Sequence, residues 1–89
     1  MPYRVILTVK WSRGNCRHYK VGDKITYEEP EIVKEKSDGL GIYALLALAP
    51  YLTALCRDTP EEDWINYKET TQCPDADTPV IFKVKRERL

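Results

Sequence analysis

The chain carries no excess of charge of either sign, because 14 lysines and arginines balance 14 aspartates and glutamates. This balance disfavours a dedicated nucleic-acid binder, which usually has a strong basic excess. There is no low-complexity tract, and 43% hydrophobic with 31% charged residues is the composition of a globular protein. With 89 residues, we expect one domain, 1–89, built around a single core.

The cysteines are few and odd in number, so they do not predict a disulfide framework. There are three, Cys16, Cys56 and Cys73. Residues 1–11 lack the apolar core and small-residue cleavage site of a signal peptide, and their pattern is typical of a strand. We therefore expect a cytoplasmic protein with reduced thiols.

One long segment without charge, residues 39–56, reaches the lower limit of transmembrane length. It contains Pro50, Thr53 and two tyrosines, so its hydrophobicity is moderate. We predict no membrane span but a buried core helix over residues 40–56, with apolar side chains around most of its circumference. Because proline removes a backbone bond and clashes with the preceding turn, the helix should kink or restart at Pro50.

Four segments alternate apolar and polar residues, which predicts strands. They are residues 3–11, 24–27, 64–70 and 80–86, and residues 31–36 could add a short edge strand. In the first strand the apolar face should include Val5, Leu7, Val9 and Trp11. The order β-β-α-β-β predicts an α+β domain, a small antiparallel sheet covered by one apolar, proline-kinked helix, with the last two strands as a hairpin.

Charge is unevenly distributed along the chain. Residues 1–24 hold six basic and one acidic side chain, and residues 80–89 hold four and one. If the terminal strands pair, one sheet face or edge becomes basic and could hold an anionic ligand or RNA, with Trp11 and Tyr19 available to stack. The alternative is protection of a sheet edge by lysine and arginine, so a nucleic-acid partner is not favoured.

The three cysteines and the single histidine form, by count, a zinc-binding set of Cys16, His18, Cys56 and Cys73. Structural zinc prefers paired ligands at Cys-x₂₋₄-Cys spacing, which this chain lacks. We therefore favour buried or half-buried thiols and expect no cofactor. If a metal binds, its ligands would be Cys16, His18 and Cys73, because Cys16 and Cys73 both lie in loops at strand ends.

Cys16 is the best candidate for a reactive thiol. Arg17, His18 and Lys20 are close to it in sequence, and cations stabilise a thiolate. A Cys-His-Asp arrangement of Cys16 or Cys73 with His18 and Asp75 or Asp77 is also conceivable. Cys16 and His18 would lie about 7 Å apart in a strand, which is long for direct proton transfer.

Four short motifs resemble a small prokaryotic family of domains of unknown function, roughly 80–90 residues long. They are the strand at residues 5–9, Cys16 ahead of Lys20-Val21-Gly22-Asp23, Gly39-Leu40 leading to Leu48-Ala49-Pro50, and Cys73-Pro74-Asp75 before residues 79–82. Two positions depart from the family pattern: Gly41 stands where it has cysteine, and Tyr19 where it has histidine. The resemblance implies a fold and a focus on thiols, with no established activity.

From the residues, a binding or accessory module is a better hypothesis than an autonomous enzyme. We place its candidate site near Cys16, His18, Cys73 and Asp75, where strand-end loops should converge. Two alternatives are a small redox enzyme that uses Cys16, and a homo-oligomeric assembly protein. The second follows from a helix that is apolar all round, which could complete its burial against a second copy.

Overall fold

The computed structural model describes residues 2–12, 20–39, 42–72 and 80–89, and it shows a five-stranded antiparallel sheet packed on one helix. This confirms the predicted α+β class. The strands and the helix are β1 (Tyr3–Ser12), β2 (Lys24–Glu28), β3 (Glu31–Ile32), α1 (Ile42–Cys56), β4 (Thr70–Gln72) and β5 (Val80–Arg88). A first 3-10 turn (Lys34–Lys36) precedes α1, and a second 3-10 turn (Trp64–Tyr67) follows it.

The two long strands pair at the centre of the sheet, in the spatial order β3-β2-β1-β5-β4. Their ladder runs from Tyr3 opposite Arg88 to Ser12 opposite Val80. The predicted order β-β-α-β-β lacks one strand, since the observed order is β-β-β-α-β-β. The additional strand β3 forms because a turn at Glu29 and Pro30 brings residues 31–32 back against β2, with Ile32 opposite Tyr27.

The predicted strand over residues 64–70 is wrong for most of its length. Residues Trp64–Tyr67 form the second 3-10 turn, because the Asp63 carboxylate accepts a hydrogen bond from the Ile65 backbone N–H at 3.0 Å. An aspartate that caps a turn in this way competes with strand pairing. Strand β4 begins only at Thr70, and its antiparallel pairing with β5 confirms the predicted hairpin.

The core lies between the sheet and α1. The helix contributes Leu48, Leu52 and Leu55, whose spacing of four and three residues places them on one face. The other buried apolar side chains are Val5, Leu7, Val9, Ile25, Cys56, Ile65, Val80 and Phe82. Alternation along β1, β2 and β5 thus supplies the sheet side of the core, as the sequence predicts.

Trp11 is an exception to that alternation. The register between β1 and β5 shifts between Val9 and Trp11, where a β-bulge adds one residue to β1. Trp11 is therefore opposite Ile81 instead of a core residue of β5, and 45% of its surface is exposed. The prediction that Trp11 shares the buried face with Val9 is wrong, because a one-residue shift moves every later side chain to the other face.

Helix α1 continues through Pro50 to Cys56, and the kink at Pro50 stays a prediction. Residues 40 and 41, where the helix was predicted to begin, lie outside the described residues. Leu46, Ala49 and Pro50 are exposed, so the described residues do not cover most of the circumference of α1 as predicted. In the described part of the chain, no helix is long and apolar enough to cross a membrane.

Candidate functional site

The site predicted from the sequence lies outside the described residues. Cys16 and His18 belong to residues 13–19, and Cys73 and Asp75 to residues 73–79. Of the described residues that border them, Ser12 is opposite Val80 in the sheet. A thiol, metal or Cys-His-Asp site formed by these residues stays a prediction.

Cys56 is a core residue, as predicted. Its side chain is fully buried and unpaired, and it packs with the apolar cluster between α1 and the sheet. Burial raises the pKa of the Cys56 thiol, which a backbone hydrogen bond from Glu29 opposes only in part. A neutral, buried thiol is a poor nucleophile and a poor metal ligand, so burial and the raised pKa favour a packing role for Cys56.

Metal binding has no support among the residues that the structure describes, where no three histidine, cysteine, aspartate or glutamate side chains form a ligand group. A groove of about 340 Å³ beside β3 is lined by three glutamates, one lysine and two apolar residues: Glu28, Glu31, Glu35, Lys34, Ile32 and Val33. Glu28 is already paired with Arg4, whose Nε lies 3.1 Å from a Glu28 carboxylate oxygen. The groove is thus an acidic surface next to an edge strand and not a formed site.

The most distinctive surface of the molecule is apolar and lies on the outer side of α1. Leu46 is 65% exposed, and Trp64 and Tyr67 of the second 3-10 turn are 62% and 68% exposed. With Ala49 and Pro50 they form what we call the α1 surface. Helix α1 has no charged residue at any position, so nothing on its outward side marks it as a solvent-facing helix.

The aromatic part of the α1 surface is held in place by the core and by polar contacts. Ile65 is buried, which anchors the second 3-10 turn between its two exposed aromatic residues. Trp64 packs edge-to-face on Tyr51 of α1, with ring centroids 6.0 Å apart. The Tyr67 hydroxyl donates a hydrogen bond to the Glu61 carbonyl at 3.1 Å. The large side chains are therefore ordered before any partner arrives, which lowers the entropic cost of binding.

The carboxyl end of α1 is fixed by a single guanidinium. Arg86 on β5 donates to the carbonyl oxygens of Leu55 and Arg57, both at 2.7 Å, and to the Asn66 side-chain oxygen at 2.9 Å. Carbonyls in the last turn of a helix have no partner within the helix, and a cation there also offsets the helix dipole. Arg86 thus joins the sheet, the helix end and the second 3-10 turn.

A second polar cluster joins the β2–β3 turn to α1. The Glu29 carboxylate accepts hydrogen bonds from the Tyr27 hydroxyl at 2.5 Å and from the Thr53 hydroxyl at 3.1 Å. Burial, followed by the hydrogen bond and the negative charge of Glu29, raises the pKa of Tyr27 to about 12. Both hydroxyls donate to Glu29, and the cluster therefore links the β2–β3 turn to α1.

The raised pKa of Tyr27 gives a measurable titration. We expect Tyr27 to ionise about two pH units above the ordinary tyrosine value near 10, and this late step should vanish in Tyr27→Phe. Because the folded chain holds this proton more tightly than the unfolded chain, its stabilising effect is present below about pH 10 and is lost as the pH rises toward 12. Ultraviolet titration of tyrosinate would check this, with Tyr51→Phe as the control. A late step that survives in Tyr27→Phe would contradict the assignment.

Comparison of the chain with protein-family models, with curated proteins and with solved structures gives no match. The resemblance to the small prokaryotic family therefore stays a prediction. The functional account rests on the surfaces of this chain alone.

Sequence reasoning treated the absence of charge mainly as a sign of burial, and it raised an uncovered helix only in the alternative that α1 completes its burial against a second copy. A signal was present: one helix on one sheet makes two layers, and only one side of that helix can face the sheet. The outward residues Leu46, Ala49 and Pro50 had to remain uncovered unless another element lay over them. Trp64 and Tyr67 were missed because they were assigned to a strand.

Proposed function

We propose that this chain is a cytosolic, non-catalytic binding module that self-associates through the α1 surface. The observation that carries the proposal is the exposure of Leu46 on the charge-free helix α1, together with the exposure of Trp64 and Tyr67 on the 3-10 turn that packs on α1. Exposed apolar residues are ordinary when scattered, but large apolar side chains exposed on two adjacent elements are typical of an interaction site. The cytosolic location is supported by an odd number of cysteines, of which Cys56 is free.

A second copy of the chain fits the charge of this surface. The five residues of the α1 surface, Leu46, Ala49, Pro50, Trp64 and Tyr67, carry no charge themselves, and the Lys68 ammonium beside them contacts the Tyr51 ring, 4.3 Å from its centre. These residues therefore do not select an oppositely charged partner. In a two-fold dimer the same patch meets itself, and a charge-free patch does so without repulsion between like charges.

The kink predicted at Pro50 would favour the same two-fold dimer. Pro50 cannot donate a hydrogen bond to the Leu46 carbonyl, four residues earlier, and both residues lie on the exposed side. Helices in two-layer domains curve with their convex side toward solvent. We expect a bend at Pro50 to make α1 convex outward, so that two copies cross near Leu46 and Pro50.

The size of the surface predicts a weak dimer. A helix of 15 residues is about 22 Å long and about 10 Å wide, so α1 alone covers a few hundred Å². A standard interface covers about 800 Å² on each partner, so Trp64 and Tyr67 must contribute as well. We expect a dissociation constant on the order of 10 µM.

Leu46→Glu tests the proposal directly. In a two-fold dimer it would bury two unpaired carboxylates in an apolar contact, so we expect dimerisation to weaken by about 100-fold or more. Leu89→Glu is the matched control, because Leu89 is similarly exposed, at 59%, and lies at the end of the sheet next to Pro2. Analytical ultracentrifugation from about 1 µM to about 500 µM would measure both variants.

The comparison requires that neither Leu46→Glu nor Leu89→Glu affects folding. Because both side chains are exposed, each substitution should change the free energy of unfolding by less than about 0.5 kcal/mol. A wild-type chain that stays monomeric over the whole range would refute the proposal. Equal weakening by both substitutions would also refute it, because the effect would then follow from net charge.

A further inference from the structure

The side of the sheet opposite α1 is a second candidate surface. The first 3-10 turn lies over Thr26, whose hydroxyl donates to the Lys36 carbonyl at 2.7 Å. No other described helix or turn packs on this side, which we call the open face. By register, its residues include Arg4, Ile6, Thr8, Trp11, Lys24, Glu28, Thr70, Gln72, Ile81, Lys83, Lys85 and Glu87.

The β-bulge in β1 places an aromatic ring on the open face. Without the register shift after Val9, Trp11 would point toward the core with Val5 and Leu7. With the shift, Trp11 is opposite Ile81 of β5. Ile81 also pairs with Gln72 of the polar strand β4 on its other side. An indole that is 45% exposed on a flat sheet surface can accept a stacked ring from solution.

Positive charge is concentrated at the end of the open face where Trp11 lies. Lys24 and Lys83 both pair with Thr8, one on each side of it, and their Cα atoms are therefore about 10 Å apart across three strands. Trp11 lies one row further along, because Ile81 is two residues before Lys83. Within the described residues, the ammonium groups of Lys24 and Lys83 form no ion pair with a carboxylate within 4.0 Å. The Asp38 carboxylate lies beside Lys24, but it accepts a hydrogen bond from the Lys24 backbone N–H at 2.8 Å.

The acidic residues of the open face are at its other end and are neutralised. Arg4 contacts Glu28 at 3.1 Å and Glu87 at 3.5 Å, and Lys85 lies 3.7 Å from Glu87. The face is thus divided into a paired end at Arg4 and an unpaired cationic end at Trp11. The net charge of zero for the whole chain does not reveal this separation.

We propose that the open face binds single-stranded nucleic acid, with a base stacked on Trp11 and phosphates contacting Lys24 and Lys83. An exposed aromatic ring beside spaced ammonium groups on a sheet is the combination that such ligands require. A duplex is disfavoured, because a surface of five strands, about 19 Å across, is too wide to enter a groove of about 12 Å. An acidic peptide would use the lysines but would have no need for Trp11.

This proposal revises the prediction from composition, which did not favour a nucleic-acid partner. The sequence predicted a basic sheet face if the two terminal strands pair. Strands β1 and β5 do pair, and their basic residues Arg4, Lys83 and Lys85 lie on one face. Tyr19, the other aromatic residue considered there, lies outside the described residues. With two or three phosphate contacts, the affinity should be modest, and its logarithm should fall with the logarithm of salt with a slope of about −1.4 to −2.1.

The test uses fluorescence anisotropy with a labelled uridine oligonucleotide of about eight residues. We expect Lys83→Glu to weaken binding at least about 10-fold and Trp11→Ala about fivefold or more, with Trp11→Phe retaining most of the affinity. Arg57→Glu is the matched control, because it makes the same charge change at an exposed residue that follows α1, on the other side of the sheet, and it should alter affinity less than about twofold.

Three results would overturn the proposal. One is no binding of the oligonucleotide at low salt. Another is equal weakening by Arg57→Glu and Lys83→Glu, which would make the effect one of net charge. The third is equal binding of an oligo-glutamate peptide that is insensitive to Trp11→Ala, which would assign the face to acidic peptides. Folding of each variant is checked by its thermal unfolding, and Leu46→Glu should bind the oligonucleotide like the wild type.

Discussion

Replacement of Arg86 by methionine should lower the free energy of unfolding by about 3 kcal/mol. The guanidinium has three hydrogen-bond acceptors in two segments, the carbonyls of Leu55 and Arg57 at the end of α1 and the side chain of Asn66 in the second 3-10 turn. It also lies 4.3 Å from the centre of the Tyr3 ring. Methionine fills much of the same volume but donates nothing, so the last carbonyls of α1 lose their partners.

Arg88→Met is the matched control for that experiment. Arg88 is two residues further along β5 on the same face and also lies over Tyr3, at 5.1 Å, but its ion pair with Asp58 is exposed. Exposed pairs contribute about 0–1 kcal/mol, so its loss should be small. Urea unfolding of both variants measures the difference. Similar losses for the two would show that Arg86 stabilises the chain by packing on Tyr3 and not by holding the helix end.

Phe82→Ala should cost about 4 kcal/mol, whereas Trp11→Ala should cost less than about 1.5 kcal/mol. Phe82 is fully buried among the core side chains, and its removal leaves a cavity in the centre of the sheet. Trp11, although larger, stands on the open face because of the β-bulge. A domain of 89 residues has a total stability of about 4–13 kcal/mol, so Phe82→Ala would leave little margin.

Denaturant unfolding followed by circular dichroism would measure both values, since it does not depend on tryptophan. If Trp11→Ala were as destabilising as Phe82→Ala, the alternation of β1 would continue without a bulge and Trp11 would be in the core. The open face would then lose its aromatic residue. The comparison therefore also tests the premise of the nucleic-acid proposal.

Local patterns predicted the central strands and the helix well. Alternation over residues 3–9 and 80–84 specifies one buried face, and a long run without charge specifies α1. The bulge after Val9 could not be predicted, because no residue there requires it and it depends on the partner strand β5. The second 3-10 turn was missed because apolar Trp64 and Tyr67 resemble strand residues, while the deciding contact is the Asp63 cap.

The candidate site was harder to predict than the fold. Residue chemistry directed attention to Cys16, His18 and Cys73, whose positions lie outside the described residues. The surfaces that carry the present proposals consist of ordinary residues, and their significance depends on which side of an element they face. Exposure of Leu46 follows from the number of layers, and exposure of Trp11 follows from a register shift. Neither can be obtained from residue types alone.

The two tryptophans lie on opposite layers of the molecule and report on the two surfaces separately. Trp64 is part of the α1 surface, and Trp11 is on the open face. The most direct test of self-association is a dilution series observed by the indole N–H signals in ¹⁵N-correlated NMR spectra. Our account predicts that the Trp64 signal moves with protein concentration in the wild type but not in Leu46→Glu, while the Trp11 signal stays in place. A Trp64 signal that is independent of concentration, or a concentration dependence confined to Trp11, would contradict it.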